Sequence, residues 1–486
     1  MKIYNTISRS IETFVPLKKN KIGIYCCGPT VYNFAHIGNM RTYVFEDVLR
    51  RTFEGLGYDV KHVMNITDVG HLQSDEDSGD DKMSLAAKRE KKSPWDIAKV
   101  YESHFFRHCE MLGIRRPHIV CRATEHIPDI ISMVQSLCDK GYAYESSGNI
   151  YFDVSKFAEY AAFAKLQMGS QRATERVTID TNKRNQADFC LWFSNSKFPN
   201  QIMKWNSPWG KGFPGWHIEC SAMSAKYLGK EFDIHCGGVD HIPVHHTNEI
   251  AQSNCCHDNS SVRYWMHGEF LTVASDNASA RTAEDGAHNK MSKSAGNFLT
   301  VDTLVDNGFS PLVYRYFLLC CHYRSELTFS FHALKKAEKA YLGLVDKIQE
   351  WQRELEGNEY LTTDDSAQPY LDEFWEAMSN DLKTPDALQV LWKVTRSNSL
   401  KTEQKLNLLL AFDMILGLGF DEVGRGQLTV EEMGLITERN TARANGDWVE
   451  SDRIRDQLLE QGIHLKDAKT GTTWSRTKPK QKANSA

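Results

Sequence analysis

A short polar segment near the start of the chain has residue types that can hold a nucleotide. It is His36–Asn39, with the sequence HIGN, and it follows the apolar, strand-like run Lys21–Cys26 and precedes a helical pattern of apolar residues. A strand that runs into a helix N-terminus presents backbone N–H donors and the positive end of a helix dipole. Gly38 lets a nucleotide approach the backbone, and His36 and Asn39 can donate to phosphate or ring atoms. An ordinary polar loop with a helix cap explains these residues equally well.

A second polar segment, far along the chain, carries two lysines. It is Lys290–Ser294, with the sequence KMSKS, and it lies just before Ala295–Asn297 in a stretch too polar for a core. This composition predicts a mobile basic loop. Transfer of a phosphoryl or nucleotidyl group needs charge stabilisation on the moving phosphate, which Lys290 and Lys293 can supply. A solvated charge cluster is the alternative for this pentapeptide taken alone.

Together, in this order and at this separation, the two segments resemble the paired nucleotide motifs of class I aminoacyl-tRNA synthetases. That resemblance implies ATP-dependent activation of an amino acid. It gives the catalytic role to four residues: His36, Asn39, Lys290 and Lys293. It implies ATP binding by a partly overlapping set, which is His36, Gly38, Asn39, Gly238, Asp240 and Lys293.

Length and composition limit the class of protein. The chain has 486 residues, which predicts about three domains with ample core. Its net charge of -5 means that any RNA contact must come from local basic patches. It has no apolar run of about 18 residues and no secretion signal at Met1–Asn5, which predicts a cytoplasmic protein. The 12 cysteines suit neither a disulfide framework nor a C-x-x-C zinc motif, so reduced thiols are expected, with a few bound to metal.

The pattern along the chain predicts an α/β fold. Apolar strands alternate with amphipathic helices in the first part, which is typical of a Rossmann-like nucleotide-binding domain. This alternation then gives way to a helix, a hairpin and a polar stretch, which predicts an insertion that splits the domain. Almost continuous helical periodicity then predicts a helical bundle. The expected segments are 1–116 (first half of the catalytic domain), 117–204 (connective insertion), 205–328 (second half, with the KMSKS loop), 329–418 (helical bundle), 419–474 (small C-terminal unit) and 475–486 (basic, disordered tail).

The individual elements that this pattern predicts are mostly short. The expected strands are Ile22–Cys26, Val60–Ile66 and Phe232–His235, with a hairpin at Ala143–Val154. The expected helices are Tyr43–Leu56, Pro94–Leu112 and Ile127–Lys140. In the helical region the apolar positions are Leu334, Ala337, Tyr341, Leu344, Ile348 and Trp351, followed by a second periodic stretch from Ala387 to Leu416.

Four residues have side chains that could bind a metal ion. His245 and Glu249 are four apart, so on a helix both side chains reach one ion. This spacing is a weak signal, because a polar helix face with a histidine–carboxylate pair has it too. Cys27, beside the first nucleotide motif, and Cys220 are remote in sequence from that helix and could join it only through the fold.

A closer resemblance supplies the link between these residues. Four segments are similar to those of cysteinyl-tRNA synthetases: Cys27–Tyr32, Gly215–Met223, Phe232–Asp240 and His245–Gln252. In that family a zinc ion in the amino-acid pocket has four ligands, and the matching residues are Cys27, Cys220, His245 and Glu249. A soft thiolate bonds zinc far better than an alcohol does, so such an ion would separate cysteine from serine. A purely structural zinc is the alternative, because four protein ligands normally make a closed site.

The residues next to the proposed ligands are expected to have other roles. Cys26 would point away from Cys27 in an extended strand. His246 could hold a ligand in place, and Thr247 stands where many relatives carry a glutamate. The cysteines expected to be buried apolar thiols are Cys236, Cys255, Cys256, Cys320 and Cys321.

The resemblance also implies the substrates and the reaction. Gly28, Thr67 and Trp216 would line the cysteine pocket, and Asp240 would hydrogen-bond the ribose of ATP. Cysteine, ATP with magnesium and tRNA-Cys would be the ligands of a cysteine–tRNA ligase that acts as a monomer. Two rival functions remain at this point, namely a cysteine ligase that uses a small amine as acceptor and an inactive RNA- or zinc-binding module.

The C-terminal residues resemble the anticodon-binding part of the same family. The similar segments are Arg439–Arg443, Asp447–Trp448, Ser451–Asp456 and Gly471–Trp474. Arginines on a helix beside aromatic residues suit single-stranded RNA, although a solvated helix with ion pairs has the same composition. The chain departs from the family at Ala274–His288, an insertion before the lysine loop that could slow or gate the loop.

Overall fold

The computed structural model describes most of the chain, in two compact units. The described residues are 1–70, 86, 90–160, 181–195, 201–274, 298–355, 365–423, 430–468 and 471–476. The first unit comprises residues 1–301, 322–328 and 379–382, and the second comprises residues 302–321, 329–378 and 383–486. The lysine loop and nearly all of the insertion before it lie outside the described residues. The division into six expected segments stays a prediction.

Strands lie mainly in the first unit. They are β1 (Lys2–Asn5), β2 (Ser10–Thr13), β3 (Lys21–Cys26), β4 (Asp59–Ile66), β5 (Ile119–Arg122), β6 (Ala143–Ser146), β7 (Asn149–Phe152), β8 (Phe189–Phe193), β9 (Phe213–Pro214), β10 (Phe232–Gly238), β11 (Val262–Gly268), β12 (Leu271–Val273), β13 (Leu327–Phe329), β14 (Ile463–Ala468) and β15 (Gly471–Arg476). The strands expected from sequence are confirmed, and β10 extends three residues beyond the predicted end.

Helices occur in both units. They are α1 (Ile37–Gly55), α2 (Pro94–Met111), α3 (Ile127–Asp139), α4 (Trp216–Leu228), α5 (Thr247–His257), α6 (Val301–Asp306), α7 (Pro311–Leu319), α8 (Phe331–Glu354), α9 (Gln368–Ser379), α10 (Thr384–Arg396), α11 (Thr402–Leu416), α12 (Val430–Ala444) and α13 (Trp448–Glu460). Within the described part of the chain, none of them combines the length and the apolar character needed to cross a bilayer.

The central sheet of the first unit is parallel and has the order β11-β10-β3-β4-β5. Strands β4 and β5 are added on one side of β3. After the insertion, β10 and β11 are added on its other side. In register, Cys26 of β3 pairs with Met64 of β4 and with Cys236 of β10. Ligands of such doubly wound sheets bind beyond the carboxyl ends of the strands, where the strand order reverses. That point lies between β3 and β10 and confirms the predicted Rossmann-like class.

Helix α1 begins six residues before its predicted start at Tyr43. The His36 side chain accepts a hydrogen bond from the backbone N–H of Asn39, and the Asn39 side chain accepts one from the backbone N–H of His36. This reciprocal pair is a capping box, which satisfies two helix-end donors and fixes the first turn. The apolar pattern missed this turn because the cap, rather than buried side chains, specifies it.

The predicted insertion contains a separate antiparallel sheet. Its order is β6-β7-β8-β9, and the hairpin β6–β7 lies where the sequence predicted one. The strands β7 and β8 are buried along their whole length, and they share a hydrophobic cluster with α3. One edge of this sheet, at Phe213 of β9, leads directly into α4.

The second unit is helical, as the periodicity predicted. All six periodic apolar residues of α8 are buried, which confirms the predicted face of that helix. The second predicted stretch forms two helices, α10 and α11, with a break at residues 397–401. The unit ends in the hairpin β14–β15, whose last strand includes Ser475 and Arg476, the first two residues of the expected disordered tail.

Candidate metal and nucleotide site

A cavity of about 300 Å³ opens at the carboxyl ends of β3 and β10. Its lining includes Gly28 after β3, His36 and Asn39 at the start of α1, and Trp216 at the start of α4. Gly238, the last residue of β10, and Asp240 line it as well, and so does Cys27. The structure therefore brings the predicted nucleotide-binding and cysteine-binding residues to one cavity.

Two predicted site residues lie at the edge of this arrangement. Thr67 is buried, and its backbone N–H donates to the carbonyl oxygen of Pro29, which does line the cavity. Gly38 lies in the first turn of α1, next to the lining residue Asn39. Neither residue is among the lining residues that the structure describes. Thr67 supports the wall of the pocket through its hydrogen bond to Pro29.

The N-terminus of α1 is held in place on two sides. In the cap, Nδ1 of His36 accepts from the Asn39 backbone N–H at 3.0 Å. The Ile37 backbone N–H donates to the carbonyl oxygen of Leu299 at 2.8 Å, and the His36 ring meets the Phe298 ring edge-on. Phe298 and Leu299, which come a few residues after the lysine loop in the sequence, thus contact this helix end, although Lys290 and Lys293 themselves lie outside the described residues.

Gly28 occupies a position that no larger residue can take. A Cβ at this residue would lie 1.7 Å from the carbonyl oxygen of Asn65 in β4. The Gly28 N–H also donates to the Asn65 side-chain oxygen at 2.9 Å, and the Asn65 amide donates to the Thr67 hydroxyl at 3.1 Å. The close contact keeps the ends of β3 and β4 together and leaves the cavity open beside Cys27.

Four buried side chains converge around Cys27, which lines this cavity. Cys27 follows β3, Cys220 is on α4, His245 is in a π-helical turn at residues 242–246, and Glu249 is in the first turn of α5. One ligand atom from each lies within 4.8 Å of all the others. Because Cys27 and Glu249 are 222 residues apart, only the order of the strands could bring these residues together.

The geometry and charges of this cluster fit a metal ion. His245 Nε2 lies 3.0 Å from Glu249 Oε1, and Cys27 Sγ lies 3.9 Å from the same oxygen. The buried Nε2 of His245 therefore faces the Glu249 carboxylate, and once deprotonated it can bind the same ion. Two sulfurs, one imidazole nitrogen and one carboxylate oxygen form a donor set that suits zinc.

The acid–base properties agree with a cation site. A hydrogen bond from the Cys27 thiol lowers the pKa of Cys220 to about 7 despite burial, so its thiolate forms easily. Burial alone raises the pKa of Glu249, but the charges of His235 and His245 outweigh it and hold that pKa below the ordinary value. Burial likewise opposes protonation of His245, yet the charge of Glu249 raises its pKa to about 10. At neutral pH the Glu249 carboxylate thus lies beside a protonated His245 and a readily formed Cys220 thiolate, and a bound cation would take the place of the His245 proton.

The neighbouring residues partly follow the predictions. His246 contacts a proposed ligand as expected, with Nε2 at 3.3 Å from Cys27 Sγ. Thr247 is buried and donates its hydroxyl to the carbonyl oxygen of Ile242, which closes the π-helical turn. Cys26 lies outside the four-residue cluster, in register with the buried Cys236 on the neighbouring strand.

The burial predicted for five cysteines is correct for only two of them. Cys236 and Cys255 are buried, whereas Cys256 and Cys321 are half-buried and Cys320 is exposed. Cys320 and Cys321 come directly after the last residue of α7, where the chain leaves the buried helix face. Local apolar composition does not report where a helix ends, so the prediction was wrong at these positions.

Comparison with known proteins places the chain in a family. A family model described as the tRNA synthetases class I (C) catalytic domain matches residues 13–339, and one described as the Cysteinyl-tRNA ligase anticodon binding domain matches residues 425–474. A cysteine–tRNA ligase of Treponema denticola is 43% identical over 98% of this chain and 99% of its own length. The chain belongs to the cysteine–tRNA ligase family. It is therefore an aminoacyl-tRNA synthetase, as the resemblance of its motifs implied.

Further comparisons agree with membership of the cysteine–tRNA ligase family. Cysteine–tRNA ligase 1 of Burkholderia lata is 45% identical, over 97% of this chain and 96% of its own length. Among solved structures, the methionyl-tRNA synthetase of Mycobacterium tuberculosis bound by methionyl-adenylate matches 89% of this chain and 96% of its own with a TM-score of 0.56. At 14% identity that likeness concerns the fold alone.

The anticodon-binding region of this cysteine–tRNA ligase family member differs from the expected picture of arginines that face RNA. Arg439 is fully buried and makes two hydrogen bonds to Asp467 of β14, at 2.6 and 2.7 Å. Arg443 and Arg455 contact the same carboxylate, at 2.9 and 3.1 Å. These arginines join α12 and α13 to the hairpin, so Arg439 has a structural role. Trp448 is exposed, with 59% of its surface accessible, and so is Arg453.

Several residues of the site were not found from sequence. Nδ1 of His217 lies 2.9 Å from Nδ1 of His245, and His267 Nε2 lies 2.8 Å from His246 Nδ1. His235 Nε2 lies 2.9 Å from the second oxygen of Glu249. The only signal in the sequence was the number of histidines near the ligand segments, which does not identify partners. Their contacts join different strands and helices and depend on the tertiary structure.

Proposed function

We propose that this protein activates L-cysteine with ATP and transfers the cysteinyl group to the 3′ end of tRNA-Cys. The observation that carries this proposal is the Cys27–Cys220–His245–Glu249 cluster, because its member Cys27 lines the same cavity as His36, Asn39 and Asp240. The family comparisons support the same activity through the names of the relatives. A site that holds a thiol-binding metal beside a nucleotide cradle fits cysteine activation.

The nucleotide would lie at the start of α1. The positive end of this helix dipole favours phosphate, and His36 and Asn39 lie at the same end. Asp240 would accept hydrogen bonds from the ribose, next to Gly238, where a Cβ would lie 2.3 Å from Asp240 Oδ1. Magnesium would accompany the ATP phosphates, and Lys290 and Lys293 would neutralise charge on them.

The proposed reaction needs no side-chain nucleophile. The cysteine carboxylate attacks the α-phosphorus of ATP, a new O–P bond forms, and the bond to pyrophosphate breaks. A hydroxyl of the terminal tRNA adenosine then attacks the activated carbonyl, and AMP leaves. The contribution of the protein is to align the reactants and to stabilise charge on the phosphorus, in which His36 and Lys293 would take part.

Zinc would be held by the four converging residues Cys27, Cys220, His245 and Glu249. When bound, it supplies a soft centre that prefers the sulfur of cysteine to the oxygen of serine. Trp216 lines the cavity, and the centroid of its ring lies 4.3 Å from that of the His245 ring. Gly28 and Trp216 would thus border the bound cysteine, with Thr67 behind them.

The C-terminal region would bind the anticodon stem–loop. Trp448, at the start of α13, is exposed and has the guanidinium of Arg443 at 5.6 Å from its ring. An exposed aromatic ring with a nearby cation suits stacking on an unpaired base. The family model for this region supports tRNA as the acceptor and disfavours a small amine.

The test is ATP-dependent charging of labelled cysteine onto total tRNA, with serine in place of cysteine as the control. We expect charging with cysteine and none with serine. An absence of charged tRNA would contradict the proposal. Cysteine-dependent exchange of pyrophosphate into ATP without charging would point instead to a cysteine ligase that uses another acceptor.

A further inference from the structure

A second set of four potential ligands overlaps the first. It consists of Cys27, His235, His246 and Glu249, which are all buried and have one ligand atom each within 4.8 Å of the others. The two sets share Cys27 and Glu249. They differ in the other two residues, which are Cys220 and His245 in the first set and His235 and His246 in the second.

The distances in the second set have the size that a tetrahedral zinc site requires. Zinc bonds of about 2.0 to 2.3 Å place neighbouring ligand atoms about 3.3 to 3.8 Å apart. Cys27 Sγ lies 3.3 Å from His246 Nε2 and 3.9 Å from Glu249 Oε1, and His246 Nε2 lies 3.8 Å from that oxygen. These three atoms can therefore reach one ion with little movement.

Hydrogen bonds behind His246 can prepare it as a ligand. Its Nδ1 lies 2.8 Å from Nε2 of His267, and Nδ1 of His267 lies 2.7 Å from the hydroxyl of Thr6. When His246 donates to His267 and His267 donates to Thr6, the lone pair of His246 Nε2 faces Cys27. Histidine ligands of metals commonly donate their second ring N–H in this way. In the reverse direction His246 Nε2 carries the proton and acts only as a donor to Cys27.

His235 completes the second set from the opposite side of Glu249. Its Nε2 lies 2.9 Å from Glu249 Oε2, whereas His245 and His246 approach Oε1. The Glu249 carboxylate thus faces His245 and His246 through one oxygen and His235 through the other. Since a carboxylate can bind through either oxygen, it can serve an ion on both sides.

We propose that the metal ion in this pocket has two alternative coordination sets, with Cys27 and Glu249 common to both. This inference rests on the metal site of the proposed function and extends it. It makes Cys27 and Glu249 indispensable for holding the ion, while the loss of Cys220 alone leaves a complete second set. The ion can then exchange protein ligands without returning to solvent.

The test is metal content together with cobalt spectroscopy of single and double variants. Zinc per chain is measured after dialysis against a chelator, and the sulfur-to-cobalt charge-transfer absorption reports the number of thiolate ligands. Cys220→Ala should keep about one ion per chain, with about half the wild-type absorption because one thiolate remains. Cys220→Ala/His246→Ala should lose the ion. Cys220→Ala/Cys26→Ala is the matched control, since Cys26 belongs to neither set, and it should keep the ion.

The outcomes separate the two proposals. A folded Cys220→Ala protein without metal would overturn the second set, and so would retention of the ion by Cys220→Ala/His246→Ala. Should Cys220→Ala fail to fold, His245→Ala provides the same comparison and should also keep the ion. A wild-type protein that binds no metal at all would instead contradict the metal site of the proposed function.

Discussion

The Nδ1 atoms of His217 and His245 lie 2.9 Å apart in the buried wall of the cavity. This contact holds the ring that presents Nε2 to Glu249. We expect His217→Phe to weaken zinc binding about 10- to 100-fold, which is the usual effect of removing the partner of a histidine ligand. Chelator competition measures the affinity, with the exposed His332→Phe as the control. Unchanged affinity in His217→Phe would show that His245 is oriented by other contacts.

The contact between Gly28 and Asn65 predicts a large effect for a single methyl group. In Gly28→Ala the new Cβ would overlap the Asn65 carbonyl oxygen, so the ends of β3 and β4 must separate. A displacement of this kind beside the reacting groups should lower cysteine-dependent pyrophosphate exchange about a hundredfold. Gly23→Ala in β3 is the control, because its Cβ would come nearest to the flexible side chain of Leu228, at 3.3 Å, and would lie at an ordinary contact distance of 3.6 Å from Phe232 Cβ. Equal activity of both variants would contradict this account.

The lysine loop gives a prediction that concerns catalysis alone. Lys293→Ala should lower the rate of adenylate formation at least about a hundredfold, because one charged donor to the transition state is lost. Pyrophosphate exchange measures this rate, and the exposed Lys339→Ala should leave it unchanged. A normal rate of pyrophosphate exchange in Lys293→Ala would contradict the catalytic role proposed for Lys293.

The exposed Trp448 predicts an effect on tRNA but not on cysteine activation. Loss of one base-stacking platform should reduce kcat/KM for tRNA about tenfold or more in Trp448→Ala. Pyrophosphate exchange should stay normal, since the catalytic cavity is unaltered. Trp95→Ala, which removes another exposed tryptophan, is the control. Equal charging kinetics in the two variants would contradict a role for Trp448 in RNA binding.

The buried His62 predicts a dependence of stability on pH. Burial lowers its pKa from 6.5 to about 3, and neither ring nitrogen has a hydrogen-bond partner among the described residues. As the pH falls below 6.5, His62 becomes protonated in the unfolded chain but stays neutral in the folded protein. The free energy of unfolding therefore decreases as the pH falls, until about pH 3. The loss is roughly 3 kcal/mol between pH 6.5 and 4. Chemical denaturation should show that the free energy of unfolding of His62→Leu decreases less over this pH range than that of the wild type. An equal decrease in the two proteins would contradict the prediction.

Local patterns were sufficient for the elements and for part of the site. The periodicity of α8 predicted its buried face, because packing of a helix repeats with the helical turn. The spacing of His245 and Glu249 predicted a pair on one side of a helix, and their atoms lie 3.0 Å apart. The start of α1 was misplaced because its capping box depends on two polar side chains rather than on apolar periodicity.

The C-terminal region shows where composition was misleading. Arginines beside aromatic residues suit both RNA binding and internal ion pairs, and the sequence does not say which arginine is covered. The structure buries Arg439 against Asp467 because β14 folds back across α12 and α13. Of the residues noted there, Trp448 remains exposed to a ligand.

The sequence by itself determined the family, the nucleotide motifs and the local pair His245–Glu249, since each depends on residues close together in the chain or on motif order. The tertiary structure decided that Cys27 and Cys220 meet this pair, because β10 adds beside β3 rather than beside β5. It also decided the contacts of His217, His235 and His246, which come from different strands and helices. Such contacts leave no periodic pattern in the sequence, because they depend on the order of the strands and on the helices that pack against the sheet.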